Sequence, residues 1–182
     1  MKLTTRAARR ISAAVAAVSA AIFVPAVALA APGSPASQAS PAAVRLCQTP
    51  GLVIWLDTSG GVTLGSVTYS LEFTNLSGRS CTLNGFPFLA AVDLHGHQLG
   101  RRAAFDHSTA PHLVTLGRGK TATAVLQVID AGNFPRAACH PVTAAGLRVY
   151  PPNQTRSKIV PFPLPVCSKL SPHILFVGPV RH

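Results

Sequence analysis

Two histidines separated by one residue, His95 and His97, come closer than other side chains of this sequence to a metal-binding pattern. In an extended strand, residues i and i+2 project from the same face, so imidazoles at this spacing can bind copper or zinc. A stable site needs a third ligand, and the candidates are His107, His112 and His140. The stretch DLHG that ends one residue before His97 also has the composition of a hairpin turn, which would expose both rings. We therefore expect no physiological metal and no cofactor, and keep a copper- or zinc-binding protein as the first alternative.

Hydrolysis is the second kind of chemistry that the residue types allow. The aspartates and serines available to a triad with a histidine are Asp57, Asp93, Asp106, Asp130, Ser66, Ser70, Ser77, Ser80 and Ser108. None of these serines lies in a Gly-x-Ser-x-Gly elbow. Five acidic residues in the whole chain also supply few carboxylate pairs for glycosidase chemistry. The sequence thus predicts a protein that is not an enzyme, with a hydrolase as the second alternative.

The compartment in which the chain folds follows from its first 30 residues. A basic start over residues 1–10, an apolar run over residues 11–29 and an Ala-x-Ala exit predict a secretory signal peptide that is cleaved after Ala30. Retention as an anchor is the alternative, because the run is long enough to span a bilayer, although no basic cluster follows it. Residues 31–43 are rich in Pro, Ser and Ala and predict a flexible linker, so the folded domain should span residues 44–182.

Four cysteines, Cys47, Cys81, Cys139 and Cys167, follow the signal and are spaced too widely for a Cys-x-x-Cys redox or zinc motif. An even number of cysteines in an oxidising compartment predicts two disulfides. Three pairings are possible. We favour Cys47 with Cys81 and Cys139 with Cys167, because each pair joins segments that we expect to be near neighbours.

Positive charge dominates the chain, which has 16 basic and 5 acidic residues. Without the four basic residues that precede Ile11, the net charge is +7. Nucleic-acid binding would favour a basic patch with aromatic partners, whereas these residues are scattered along the sequence. We therefore expect a cationic surface that binds no nucleic acid and is attracted, if to anything, to an anionic cell wall or membrane.

The segments that carry these side chains have the alternating pattern of β-strands. In residues 66–74, Val67, Tyr69, Leu71 and Phe73 share one face, and residues 121–129 repeat the pattern. Further strand candidates are residues 52–56, 86–94, 112–116, 147–150, 158–160 and 174–177. Many short strands with turns between them favour an antiparallel sandwich or barrel.

Three other features of the sequence bear on where a ligand would bind. Trp55, in the first strand candidate, is expected in the core. The longest loops, residues 100–111 and 130–146, are the candidates for recognition, because loops at one end of a rigid scaffold commonly carry it. The second loop can hold a short helical turn, limited by Pro135 and Pro141.

Four stretches of the sequence resemble one known family. Residues 73–87 (FTNLSGRSCTLNGFP) resemble its core motif of strand, Asn turn, Cys-Thr-Leu and Gly-aromatic-Pro. Residues 116–122, 139–141 and 147–152 resemble its Leu-x-Pro-Gly-x-x-Ala, Cys-x-Pro and Leu-x-Val-x-Pro-Pro elements. The family is an actinobacterial group of secreted proteins and lipoproteins labelled "domain of unknown function 4232". The resemblance covers roughly residues 46–177.

The resemblance implies an all-β fold, an immunoglobulin-like antiparallel β-sandwich stapled by two disulfides, and it supplies no catalytic residues. Arg118 stands where the family usually has Pro, and the lipid-attachment cysteine is missing, so we expect a released member. In the motif, Asn75 and Gly78 are residue types that tolerate left-handed backbone angles in a tight turn, and Phe86 is available for the core.

These observations together predict a secreted, non-enzymatic β-sandwich that binds at the cell envelope. Its expected location is extracellular, with association to the cell wall as an option. The expected partner is an anionic cell-wall polymer or another protein.

Overall fold

A computed structural model gives the fold of residues 45–182, and β-strands dominate it. The predicted signal peptide, the linker and the first residue of the predicted domain lie outside the described residues. The strands are β1 Leu52–Asp57, β2 Val62–Thr63, β3 Ser66–Asn75, β4 Cys81–Asn84, β5 Phe88–Val92, β6 Gln98–Leu99, β7 Ala104–Phe105, β8 Leu113–Leu116, β9 Thr121–Ile129, β10 Pro141–Tyr150, β11 Lys158–Cys167 and β12 Leu175–Val177. Helical structure is limited to α1 Arg136–Cys139 and to two short 3₁₀ turns, Thr49–Gly51 and Ala131–Asn133. Within these residues, no helix is long and apolar enough to cross a bilayer.

The strands form two large sheets and one small pair. The first sheet has the order β1-β3-β9-β12-β7, with β2 added alongside β3. The second sheet has the order β11-β10-β5-β6, and β4 pairs with β8. Neighbouring strands run antiparallel, except for β12 and β7, which are parallel. The all-β prediction is therefore confirmed, whereas the immunoglobulin-like topology stays a prediction.

Alternation along the strands explains why the two sheets share one core. In the first sheet, the fully buried Leu71 and Phe73 of β3 lie opposite Ala124 and Ala122 of β9, so large side chains meet small ones in neighbouring positions. Leu147 of β10, in the second sheet, belongs to the same buried cluster. Burying an aliphatic or aromatic side chain of this size contributes about 1.5–3 kcal/mol. The inner faces thus hold the sheets together, and the outer faces are left for other roles.

Two disulfides fasten the ends of strands to this core. Cys47 is bonded to Cys81 at the start of β4, with a Cα–Cα distance of 4.8 Å. Cys139, at the end of α1, is bonded to Cys167 at the end of β11, with a Cα–Cα distance of 4.6 Å. All four cysteines are buried. These are the two pairings that the sequence favoured.

Strands β10 and β11 are much longer than the sequence predicted. The predicted strand over residues 158–160 continues to Cys167 through Pro161, Pro163 and Pro165. Proline lacks the backbone N–H that a sheet ladder uses, so within sheets it is found mainly on edge strands and at bulges. β11 lies at the edge of its sheet, and its register with β10 shifts within the proline-rich segment.

The prediction of a loop over residues 130–146 was wrong for its second half. The 3₁₀ turn and α1 supply the helical turn that was expected there, and β10 begins directly afterwards at Pro141. The predicted loop over residues 100–111 is likewise interrupted by β7, which pairs with β12. Neither segment is therefore a long free loop suited to recognition.

Candidate functional site

The His95–His97 segment is a tight turn between β5 and β6, organised by one carboxylate. Asp93 Oδ1 accepts hydrogen bonds from the backbone N–H groups of His95 (2.9 Å) and His97 (2.8 Å). Asp93 Oδ2 lies 3.1 Å from Nδ1 of the His97 ring. Partial loss of hydration tends to raise the pKa of Asp93, but the hydrogen bonds from His97 and His95 outweigh it, so the pKa lies below its ordinary value. Both histidines are exposed, as a hairpin turn predicts.

The structure does not gather a third metal ligand around this turn. Residues 45–182 contain no group of three or more His, Cys, Asp or Glu side chains that could hold a metal ion. His107 packs against Phe86 with a centroid distance of 4.9 Å, and His140 Nδ1 lies 2.9 Å from Ser168 Oγ. These two candidate ligands are thus engaged elsewhere.

Three of the aspartates considered for hydrolysis cap their own turns. Each accepts the backbone N–H of the residue two positions later: Asp57 from Ser59 (2.9 Å), Asp106 from Ser108 (2.9 Å) and Asp130 from Gly132 (2.8 Å). These are Asx turns, in which the carboxylate replaces a backbone acceptor. The backbone and hydroxyl hydrogen bonds of Ser59 hold the pKa of Asp57 below its ordinary value, and those of Ser108 do the same for Asp106. The carboxylates serve as turn caps in this arrangement.

The last acidic residue, Glu72, lies on the outer face of β3 and is only 9 % exposed. Its Oε2 accepts a hydrogen bond of 2.9 Å from Thr123 Oγ1 on β9. All five acidic residues of the chain lie within the described part. Among residues 45–182, the one carboxylate in ion-pair contact with a basic side chain is Asp93, through His97. The lysines and arginines of this region are therefore not neutralised by carboxylates.

Trp55 is not in the core, which corrects the sequence prediction. Its side chain is 44 % exposed on the outer face of β1, next to the exposed Val53. The indole Nε1 donates to Thr74 Oγ1 (3.3 Å), and Thr74 is hydrogen-bonded to Thr121 (2.9 Å). Both faces of β1 are apolar, so alternation alone did not reveal which of them packs inward.

Asn75 holds the Asn turn of the family-like motif together, but not through a left-handed backbone. It ends β3 as a fully buried residue, and its Nδ2 donates to the carbonyl oxygens of Arg79 (2.8 Å), Leu116 (2.9 Å) and Gly117 (3.2 Å). Its Oδ1 accepts from the backbone N–H and the hydroxyl of Ser77. The left-handed position of this turn is Gly78, with φ of +80°. Of the two residues that tolerate such an angle, Gly78 adopts it, and the side chain of Asn75 is a buried polar tie.

Phe86 departs from the core role for which it was available in the motif. It is half-buried and stacks on Phe105 with a centroid distance of 4.8 Å. Phe88 meets the same ring edge-on at 4.9 Å. Phe86 therefore belongs to a surface aromatic cluster with Phe88, Phe105 and His107.

Beside this cluster, the outer face of the second sheet carries a groove that the sequence did not reveal. The register of β5 and β10 places Phe88 opposite Tyr150, and Ala90 opposite Arg148. The groove has a volume of about 490 Å³. Its remaining lining residues are Leu89, Gln98, Arg102, Gln154 and Thr155. The lining contains two arginines, the small Ala90 and no acidic residue. The groove is therefore suited to an anion with an apolar or ring-shaped part.

The two arginines of the groove are held in different ways. Arg148 Nη2 donates to the carbonyl oxygen of Gly96 (2.6 Å), which fixes the guanidinium beneath the Asp93 turn. The guanidinium of Arg102 lies over the Phe88 ring, 5.4 Å from its centroid. They come from separate segments: the pairing of β10 with β5 positions Arg148, and the hydrogen bond from Ala103 N–H to the Leu89 carbonyl holds the segment of Arg102 against β5. The Asp93 turn, with its two histidines, therefore supports one wall of the groove and does not carry the site itself.

Comparison with known proteins gives one match. A sequence model of the family described as "Domain of unknown function (DUF4232)" matches residues 47–181, about three quarters of the chain. No curated protein and no solved structure matches.

Proposed function

The chain belongs to the family described as domain of unknown function (DUF4232), and from this premise we propose that it is a secreted, non-enzymatic protein that binds an anionic polymer of the cell envelope. Two buried disulfides support an oxidising, extracellular location, because such bonds persist where thiols are not kept reduced. The charge of the chain supports the choice of an anionic partner.

The observation that carries this proposal is the excess of basic side chains over carboxylates, together with the hydrogen bonds that the carboxylates make within the fold. Of the 16 lysines and arginines, twelve follow the predicted signal, against five carboxylates. Four carboxylates cap turns and the fifth is hydrogen-bonded to a threonine. The acidic side chains are thereby committed to the fold, and among residues 45–182 no lysine or arginine is paired with one of them. An excess of uncompensated cations attracts polyanions over distances of a Debye length.

A cell-wall polymer suits this surface better than a compact protein partner does. The basic residues are distributed along the whole domain, and a long polyanion can contact several of them at once. Each contact contributes little by itself, because exposed charge pairs are worth about 0–1 kcal/mol. The affinity then depends on how many sites are occupied together, as in other multivalent binding.

The test is a sedimentation assay in which the purified full chain is mixed with isolated cell walls, with polygalacturonate or with the neutral polymer dextran. We expect binding to the walls and to polygalacturonate at about 10 mM salt, where the Debye length is about 30 Å. Binding should be lost near 1 M salt, where the length is about 3 Å. Dextran is the matched neutral control. Equal retention on dextran, or no retention on the polyanions at low salt, would contradict the proposal.

A further inference from the structure

The groove on the second sheet has features that a surface with general positive charge does not need. Phe88 is a large aromatic residue of which 41 % is exposed, and Tyr150 lies directly opposite it on the neighbouring strand. Side chains that oppose each other across strands are about 5 Å apart at Cβ, so the two rings line one continuous wall. Aromatic faces exposed in this way are suited to pack against the apolar face of another ring.

Ala90 gives the groove its depth. It lies two residues after Phe88 on the same face of β5 and opposite Arg148. Its side chain is a single methyl group of which a small part lines the groove, so a longer side chain at this position would extend into it. A volume of about 490 Å³ lies in the range of small-ligand sites, which is roughly 300–1,000 Å³.

Arg148 is positioned to bind an anion at the end of this wall. A guanidinium has five N–H donors, and the one hydrogen bond that Arg148 makes within the described residues uses a single nitrogen, Nη2. That bond to Gly96 holds the planar group in place, so less side-chain freedom is lost when a ligand binds. The remaining donors match the two oxygens of a carboxylate or of a phosphate.

Arg102 adds a second positive charge to the same groove. It stacks on Phe88 and makes no hydrogen bond within residues 45–182, so its N–H donors are available. Gln98, Gln154 and Thr155 complete the walls with amide and hydroxyl groups that can bind sugar hydroxyls. Cation, ring face and neutral polar groups thus meet in one concave site, from which acidic side chains are absent.

From this arrangement we propose that the groove binds one acidic sugar unit, a pyranose ring that carries a carboxylate or a phosphate. The ring packs on Tyr150 and on the part of Phe88 that Arg102 leaves exposed, and the anionic group is bound by Arg148 and Arg102. The inference rests on the proposed function and adds to it the place and the chemical class of the unit that is recognised.

The experiment is isothermal titration of the purified full chain with glucuronate, glucose 6-phosphate and glucose. The first two distinguish a carboxylate from a phosphate, and glucose is the neutral control. We expect one or both acids to bind with a Kd of about 1 mM or lower, and glucose to bind at least about tenfold more weakly. Equal binding of all three sugars, or none, would overturn the proposal.

Variants locate the site. Arg102→Gln and Arg148→Gln should each raise the Kd at least about tenfold, while Arg79→Gln and Arg118→Gln, which remove the same charge from exposed positions outside the groove, should leave it unchanged. Ala90→Leu fills the groove without altering charge and should abolish binding. Thermal unfolding of every variant checks the fold. If Ala90→Leu does not fold, Arg102→Gln still tests the site, because Arg102 is exposed and its substitution should leave the fold intact. An equal loss in the control variants would contradict a specific site.

The polymer assay separates this proposal from the broader one. If the double variant Arg102→Gln/Arg148→Gln and the control double variant Arg79→Gln/Arg118→Gln release polygalacturonate equally while no acidic sugar binds, the groove proposal fails and the broader function stands. If the unaltered chain retains no polyanion, the broader function fails. Tighter retention of a single-stranded DNA than of a polygalacturonate of equal charge, at the same salt concentration, would overturn the broader function, because the preferred polyanion would then be a nucleic acid.

Discussion

The Asn75 turn and the groove of the second sheet differ in how fully their polar side chains are hydrogen-bonded within the chain. Asn75 is fully buried, and both ends of its amide are bonded to the chain. In the groove, Arg148 has one bond to the backbone and Arg102 has an aromatic ring beneath it. Buried polar groups must be satisfied within the fold, whereas partly exposed ones can keep donors for a ligand. The first region therefore fixes the structure, and the second is where recognition is expected.

The sequence motifs that resemble the family specify mainly buried residues that fix the structure, as Asn75 does. In the Leu-x-Val-x-Pro-Pro element, the specified Leu147 and Val149 are fully buried, and the two unspecified positions are Arg148 and Tyr150. The pattern thus describes the inner face of β10, and the groove is built on its outer face. On this basis, the motif accounts for the fold, and the ligand depends on residues between its fixed positions.

The largest expected effect comes from removing a disulfide. The bonds join cysteines that are 34 and 28 positions apart in the sequence, and in the chain-entropy description loops of this size stabilise the fold by about 3–4 kcal/mol each. We expect Cys47→Ala/Cys81→Ala and Cys139→Ala/Cys167→Ala each to lower the free energy of unfolding by about that amount, as measured by urea denaturation. Acidic-sugar affinity should be unchanged in variants that remain folded. A change below about 1 kcal/mol would show that the bonds do not constrain the chain.

Asn75→Ala tests the polar tie at the motif turn. The substitution removes the side-chain donor of the buried Leu116 carbonyl, together with the part-buried hydrogen bonds of the amide to Arg79, Gly117 and Ser77, and a buried polar group left unsatisfied costs about 1–3 kcal/mol. We expect the free energy of unfolding to fall by about 3 kcal/mol. Asn84→Ala, at an exposed position, is the control and should change it by less than about 0.5 kcal/mol. Equal effects of the two substitutions would remove the distinction between the two regions.

Arg148→Lys separates the shape of the guanidinium from its charge. A lysine keeps the net charge but lacks the planar fork that bonds to Gly96 and to an anion together. We expect the affinity for the acidic sugar to fall about tenfold, or about 1.4 kcal/mol, while retention on polygalacturonate at low salt stays the same. Full affinity in this variant would mean that the groove recognises the anionic group by charge alone.

The smallest expected effect concerns the turn aspartates. Because the pKa values of Asp57 and Asp106 are lowered in the folded state, their ionised forms stabilise the fold above the ordinary pKa of 3.8, and this contribution is lost as the pH falls through the lowered values. Titration of the carboxyl carbons by NMR should therefore give pKa values below 3.8 for both. Ser59→Ala removes one hydrogen bond and should move the pKa of Asp57 upward, with Asp106 as the internal control. A pKa at or above 3.8 in the unaltered chain would contradict the turn geometry.

The parts of the fold that were predictable are those in which one face of a strand is apolar and the other polar. The strand expected over residues 121–129 is β9, and the one expected over residues 66–74 is β3, one residue longer. Proline argued against most of β11, since only the sheet order shows that this strand is an edge. Trp55 was misplaced because both faces of β1 are apolar.

The groove was out of reach of sequence reasoning for a different reason. Arg102 and Arg148 have no recognisable spacing, and they line the same groove because β10 pairs with β5 and because the N–H of Ala103 is bonded to the Leu89 carbonyl of β5. Phe88 and Ala90 looked like ordinary strand residues, since a pattern of period two gives the face but not what lies above it. The conspicuous His95 and His97 belong to a turn whose Gly96 carbonyl supports Arg148. A signal for the site was therefore present in the sequence only as isolated arginines.

The two arginines of the groove should bind an anionic ligand that the other arginines of the surface do not bind. The most direct measurement is an NMR titration with glucuronate that follows the side-chain Nε–H signals of all arginines in the full chain. We expect the signals of Arg102 and Arg148 to shift and saturate together, while those of Arg79 and Arg118 stay in place. Small shifts spread evenly over every arginine, or none at all, would contradict the account.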